Sequence, residues 1–517
     1  MVSSHRLVIK DAVWQLLWRI ISALFGFVII KIMTPYLWPM RYGDYSTILK
    51  YFAIWTALAD LGLYVLAVKD LGKIKEEEQD PKHPQLKKEY GKYVGTRIII
   101  MSVIYVLALG IAYLLPVYTT NPYLLWGLPF GMIFSASVMF VGIQQLPFQL
   151  FWKMEQLSIT LITARLSQIV ILIPVVYIFF RHISFDGNSL SILVFCLILF
   201  SVLASGIGQN FEIHWRANRI LPLHIIFDWK FTQQIIIRNR QYGVSYFLSS
   251  FHTLIVLLFL WWFLPTSGGS DAAGMWALSL SLIEILLIIP SALWNSLLHT
   301  IASYSLVHKR QSIGNLLLLM YWIGGSIAIN FCVFSTRIIR AVSGKAFLGS
   351  FAQIQLRWSN QVLPFLGIVL WRGFIKQVYN YLFVAVERQN VLLPINLFGI
   401  MLGIPLWIWA IPHYGLAGGA LTQVTIEGIF MLWAIFVARV HHISPRYTIK
   451  YIVQLSGILL VFACFGVFLN HFVCSRYLWF FASVLVLNGS LLFVSLPIIK
   501  KLARWLTLQE SGIVDPL

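Results

Sequence analysis

The chain has 517 residues, 59% of them hydrophobic and only 11% charged, whereas ordinary soluble domains carry about 25% charged residues. With a mean hydropathy of +0.80, this composition excludes a water-soluble globule. The 38 Lys and Arg against 19 Asp and Glu give a net charge of +19, which fits either a polyanion-binding face or the Lys/Arg bias of cytoplasmic loops, and only position along the chain separates the two.

A bilayer-crossing helix needs about 20 mostly apolar residues. Apolar runs between charged or turn-rich breaks predict fourteen such helices, at 12–33, 45–68, 94–115, 124–149, 159–180, 190–208, 241–265, 275–298, 313–334, 360–386, 391–411, 417–438, 451–470 and 477–498. The expected fold class is an all-α polytopic membrane protein. The first run starts near Ala12 and has no small-residue cleavage site, so no cleavable signal is expected. With both termini inside, and with Lys31 and Arg97 counted in the loops they adjoin, the cytoplasmic segments hold 25 Lys and Arg, the outer segments 8, and the helices five. The charge excess is therefore read as topology, and no nucleic-acid partner is expected.

Between the second and third helices, Lys69–Lys92 carries Glu76-Glu77-Glu78, Lys87-Lys88 and two prolines, which predicts a solvated cytoplasmic loop with no core of its own. Phe211–Arg240 mixes Trp215, Ile225, Phe227 and Trp229 with Arg216, Arg219, Lys230, Arg238 and Arg240, a pattern suited to a helix in the headgroup plane and to a hinge between halves. Weak internal similarity supports two halves. Ile173-Pro174 recurs as Ile404-Pro405, and Met154-Glu155-Gln156 resembles Glu387-Arg388-Gln389. The domain reading is a six-helix bundle at 1–210, an interfacial linker at 211–240, a second six-helix bundle at 241–440, and two further helices with a cytoplasmic tail at 441–517.

No outer loop exceeds about 25 residues, too short for an external catalytic domain. Gly344-Lys345 is followed by Ala346, so a phosphate-cradling nucleotide loop is absent, and His441-His442 lacks the spacing of a metal site. Cys196, Cys332, Cys464 and Cys474 have no CxxC spacing and read as buried thiols. No catalytic residue, metal or cofactor is expected.

The informative residues are charges inside apolar spans, where a Lys or Arg at the helix centre costs roughly 2.5 to 3.5 kcal/mol and needs a partner or an aqueous cavity. Arg372, Lys376 and Asn380 follow one another at i, i+4 and i+8, and Asp11, Gln15 and Arg19 repeat the pattern in the first helix, so each set shares a helical face. Lys50 and Arg165 are further embedded bases, each near enough to a helix end to snorkel. Asp60, Glu284 and Glu427 are embedded acids, open to pairing with those bases or to binding a coupling proton or cation. Five embedded bases against three acids favour an anion, with Arg19, Lys50, Arg165, Arg372, Lys376 and Asn380 as candidate substrate-binding residues. Aromatics make up 15% of the chain and many sit at span ends, which interfacial belts explain.

Pro39-Met40-Arg41-Tyr42-Gly43-Asp44-Tyr45, Asp60-Leu61-Gly62, Gly274, Ile289-Pro290-Ser291-Ala292-Leu293 and Ile411-Pro412-His413-Tyr414-Gly415-Leu416-Ala417-Gly418 come in an order that resembles polysaccharide flippases of the multidrug, oligosaccharidyl-lipid and polysaccharide exporter superfamily. Trp38 stands where that family usually has glycine, and Gly419 where alanine is usual. The resemblance implies two six-helix bundles facing a central cavity, alternating access, and a lipid-linked sugar as cargo.

The function expected is translocation of a polyprenyl-pyrophosphate-linked oligosaccharide across the cytoplasmic membrane. Its partners would be that lipid-linked oligosaccharide, membrane lipids and glycan assembly enzymes. The alternatives are a lipid-linked peptidoglycan precursor flippase, a cation-coupled drug or metabolite antiporter, whose cavity should be rich in Asp or Glu, and a membrane glycosyltransferase or polymerase.

Overall fold

The computed structural model describes residues 2–78, 84–151, 153–179, 189–264, 269–302, 306–348, 358–386, 388, 391–446, 449–472 and 477–508. In chain order the helices are α1 (Val2–Asp60), α2 (Leu63–Glu78), α3 (Pro84–Leu114), α4 (Pro116–Thr119), α5 (Pro122–Gln144), α6 (Leu146–Leu150), α7 (Met154–Phe179) and α8 (Ser189–Asn218). They continue with α9 (Trp229–Phe263), α10 (Gly269–Ala302), α11 (Leu306–Ser343), α12 (Ser359–Ala385), α13 (Leu392–Tyr414), α14 (Leu416–Val440), α15 (Ile449–Phe472) and α16 (Tyr477–Leu508). No strand occurs among the described residues. Eleven of the helices described are long and apolar enough to cross a membrane, and the bent pair Gly243–His252 and Leu254–Phe263 in α9 brings the number to twelve if it is counted as one span.

One of these candidate spans, Ile20–Asp60, has 41 residues, about twice the length that a ~30 Å hydrocarbon core requires at 1.5 Å per residue. It is interrupted at Trp38, which has φ 53° and ψ 169°. Pro39 excludes its predecessor from helical geometry and lacks an N–H to continue the ladder. The resulting conformation is one that glycine adopts almost alone, which gives a physical reason for the glycine usual at this position in the family that the sequence resembles. Trp38 itself is largely exposed.

Packing divides the chain into two units, Met1–Leu278 with Leu392–Pro412, and Ser279–Val391 with His413–Leu517. In the first unit, the turn motif after Trp38 is a contact between backbones. A Cβ on Gly43 would lie 2.0 Å from the Ser270 carbonyl oxygen, and one on Gly274 would lie 1.9 Å from that of Pro39, so α1 and α10 meet where only hydrogen fits. Asp44 beside this contact is fully buried. It accepts from Arg41 Nη1 at 2.8 Å and Asn121 Nδ2 at 3.0 Å, and Ser270 Oγ lies 2.6 Å away. The Arg41 guanidinium in turn stacks 3.7 Å from the Tyr123 ring centroid.

The polar stretch Lys69–Lys92 departs from the expected loop, because outside residues 79–83 it is helical, as the end of α2 and the start of α3. Leu71, Leu86 and Tyr90 are buried, and this apolar minority gives each helix a face to bury while Lys69, Lys73 and Lys88 stay exposed. Tyr93 Oη donates to Asp70 Oδ2 at 2.6 Å, and Arg238 of α9 forks onto the same carboxylate at 2.8 and 3.1 Å. Residues 211–240 likewise are not one interfacial helix. They comprise the end of α8, a non-helical segment through Asp228, and the start of α9, where Asp228 Oδ1 accepts from Phe231 N as an N-cap. Ile226 N donates to the Gly91 carbonyl at 3.1 Å, which ties the non-helical segment to α3.

In the second unit, α11 packs against α12, α15 and α16. The two last helices of the chain join it through Phe334, Leu459, Phe462, Leu487 and Leu491, and through the amides of Asn330 and Asn488, which exchange hydrogen bonds at 3.0 and 3.2 Å. Pro174 and Pro405, the repeated prolines, both lie inside helices. Glu387 and Gln389 of the second sequence repeat, and Cys474, lie outside the described residues.

Candidate functional site

In the first unit the second limb of α1 ends at Asp60, because Leu61 and Gly62 both take positive φ, 45° and 69°. This break presents the carboxylate to α3, where Arg97 waits. Arg97 Nη1 lies 2.6 Å from Asp60 Oδ1, and the side chains are 4% and 16% exposed. Arg97 Nε donates to the Met139 carbonyl at 3.0 Å, while Gly142 leaves room for the other arm of the fork, since a Cβ there would lie 2.9 Å from Nη2. Arg97 was expected at the edge of a cytoplasmic loop, and the structure corrects that. Its helix starts at Pro84 rather than 94, which puts Arg97 about 20 Å along the helix at 1.5 Å per residue.

Beside the pair lies a cavity of about 410 Å³. Tyr64, Ser135, Gln145, Tyr246 and Ser250 contribute polar groups and Phe134 a ring, and among the described residues Asp60 and Arg97 are its only charged walls. Those charges cancel, so the cavity is polar but close to neutral. Lys50, half-buried in α1, and Arg165, exposed on α7, do not line it. Arg165 Nη1 donates to Gln168 Oε1 at 3.4 Å.

The second unit holds the Arg372, Lys376 and Asn380 stripe on α12, which the structure resolves into unlike parts. Lys376 Nζ sits 3.2 and 3.4 Å from the two carboxylate oxygens of Glu427 on α14, and 4.5 Å from the Phe430 ring centroid. Lys376 and Glu427 are 12% and 7% exposed, so this charge is compensated within the unit. Arg372, one turn earlier, donates from Nη1 to the Val424 carbonyl. Gly428 makes room for it, as a Cβ there would lie 2.9 Å from Nη1. Among the described residues Arg372 meets no carboxylate. A carbonyl orients the guanidinium but does not cancel its charge, so this span keeps a net cation. Asn380 is half-buried further along the same helix, and Glu284 is half-buried in α10. The side chains of Asp11, Gln15 and Arg19 lie outside the described residues.

Residues 8–289 match the family model described as polysaccharide biosynthesis protein. A search of curated protein sequences gives no match. Among solved structures, the fold is shared with the lipid II flippase MurJ in an inward closed conformation, at a TM-score of 0.69 and 14% identity over 94% of this chain and 99% of that one. It is shared also with a multidrug resistance MATE family transporter of the MOP superfamily in its inward-facing conformation, at a TM-score of 0.56 and 10% identity over 84% of this chain and 98% of that one. A MOP superfamily transporter from Pyrococcus furiosus, whose binding pocket is described as reversed in polarity, aligns at a TM-score of 0.54 and 11% identity over 84% of this chain and 96% of that one.

Proposed function

Because this multi-pass membrane chain belongs to the polysaccharide biosynthesis protein family, we propose that it is a flippase, not an enzyme, and that it moves a polyprenyl-pyrophosphate-linked oligosaccharide across the cytoplasmic membrane by alternating access. Arg372 carries the reading. An embedded guanidinium that donates to a carbonyl keeps its charge to offer an anion, and the cargo's pyrophosphate is one that a planar fork binds well. Lys376 joins it when Glu427 is neutralised, so proton or cation binding at that carboxylate couples to release of a cargo-binding ammonium. Arg19, Lys50, Arg165 and Asn380 contribute the remaining polar contacts, and Asp60 and Glu284 are further coupling positions. The partners are the lipid-linked oligosaccharide, membrane lipids and the enzymes that assemble the glycan. A lipid-linked peptidoglycan precursor is the second reading, favoured by the fold shared with a lipid II flippase and served by the same pyrophosphate chemistry.

Deletion of the gene separates the two. The expected result is accumulation of lipid-linked oligosaccharide in the inner leaflet with peptidoglycan synthesis unchanged; arrested peptidoglycan synthesis would select the second reading. For coupling, Asp60→Asn, Glu284→Gln and Glu427→Gln are each compared with and without an imposed ion gradient, and Glu427→Gln is expected to lose the gradient dependence. Unchanged dependence in all three would assign these acids to structure.

The topology proposed has fourteen crossings with both termini cytoplasmic, the two bundles taking 1–210 and 241–440 and the last two helices following. Counting Ile20–Asp60 as two crossings, α9 as one and the shorter apolar Ala482–Pro497 as another brings the eleven candidate spans to that number. A thiol introduced near Gln79 should resist an impermeant reagent in intact cells, and rapid labelling there would reverse the orientation.

A further inference from the structure

The cavity beside Asp60 and Arg97 differs in kind from the Arg372 region. A site for pyrophosphate needs net positive charge, and among the described residues this cavity pairs its one acid with its one base at 2.6 Å. What remains is a near-neutral set of polar lining residues. Arg97 is pinned by Met139 and by the space at Gly142, so its fork keeps a fixed direction. Asp60 brings carboxylate oxygens, and Ser135, Ser250, Tyr246 and Gln145 line the same space, together with Tyr64, whose hydroxyl donates to Gln149 Oε1. Sugar hydroxyls act as both donor and acceptor, so they match such an array without net charge. Phe134 and the tyrosine rings offer apolar faces to the C–H side of a pyranose. The volume of about 410 Å³ lies within the range of small-molecule sites, and holds one or two sugar rings if each takes the space of roughly six waters at ~30 Å³.

We infer that this cavity is a sugar-recognition subsite in which Asp60 and Arg97 hydrogen-bond hydroxyls of one or two rings of the translocated glycan. The inference rests on the flippase reading and adds to it a place where the glycan, rather than its lipid anchor, is read. Val138 tests it without touching the ion pair, because it lines the cavity and is 44% exposed, so Val138→Trp fills the space while displacing little packed structure.

The experiment measures binding to the full-length protein in nanodiscs with two probes. One is bare undecaprenyl pyrophosphate, and the other is the undecaprenyl-pyrophosphate-linked glycan pool extracted from cells that make the polysaccharide. Wild type is expected to prefer the glycan-bearing lipid by about tenfold or more. Val138→Trp and Asp60→Asn should each reduce that preference to about threefold or less, with bare-carrier binding by Val138→Trp unchanged. A full preference in a folded Val138→Trp overturns the subsite. Equal binding of both lipids by wild type also overturns it and leaves the flippase reading standing, whereas no binding of either lipid by wild type removes the flippase reading itself.

Discussion

Replacing Arg372 by Gln is expected to lower the proposed transport of lipid-linked oligosaccharide by about 10- to 100-fold, the size of one lost charge-assisted contact worth roughly 1.5 to 3 kcal/mol, with the protein still folded and inserted. Arg372 meets no carboxylate among the described residues, so its removal unpairs no acid there, and the Val424 carbonyl that loses this donor lies inside α14, where it keeps its place in the helical ladder. Arg372→Lys should recover a minor part of the activity. An ammonium is a point charge and cannot reproduce a planar fork that holds a carbonyl with one nitrogen and a phosphoryl group with the others. Lys376→Gln behaves differently, because it removes the ammonium 3.2 Å from Glu427, a carboxylate at 7% exposure. That variant should lose stability as well as transport, and adding Glu427→Gln should return the stability. Equal thermal stability and equal transport for Arg372→Gln and wild type would remove Arg372 from the mechanism.

The largest stability effect is expected at the other pair. Arg97→Gln leaves the Asp60 carboxylate, 16% exposed beside a cavity with no other charged wall among the described residues, without its counter-charge, and breaking a buried pair from one side costs about 3 to 5 kcal/mol. The double variant Arg97→Gln, Asp60→Asn should recover most of that loss, since two neutral amides carry no unpaired charge. Melting temperatures of wild type, both single variants and the double variant in the same detergent form a closed cycle, and a coupling below ~0.5 kcal/mol would mean that the 2.6 Å approach does not hold the unit together.

How much of this was legible beforehand varies residue by residue. The membrane class follows from composition, and the motif Pro39 to Tyr45 marked a conformation the structure explains through Trp38 before Pro39 and through the Gly43 and Gly274 contact. The Arg372 and Lys376 stripe was visible because four-residue spacing is local. Its division into a compensated and an uncompensated cation was not, because Glu427 lies 51 residues from Lys376 and only the packing of α12 on α14 brings them together. Arg97 was missed for a related reason. Hydropathy placed the start of its helix at 94, whereas polar residues from Pro84 onward are helical too, so a buried arginine read as a loop residue. Its best signal in the sequence was Asp60, an embedded acid with no base at helical spacing. The same error made Lys69–Lys92 look like a loop, since charge composition measures solvation and not helicity.

Transport of a lipid-linked glycan by this protein is measured most directly by reconstitution. Purified protein is placed in liposomes containing the extracted undecaprenyl-pyrophosphate-linked glycan on both leaflets, and an impermeant glycan-cleaving enzyme is added outside. Without protein about half of the glycan is protected, a two-leaflet geometry that pure lipid cannot relax because a polar glycan does not cross hydrocarbon. With wild type the protected half should become cleavable over time, and with Arg372→Gln it should stay protected. A protected half that persists with folded wild-type protein, with and without an imposed ion gradient, would contradict the account.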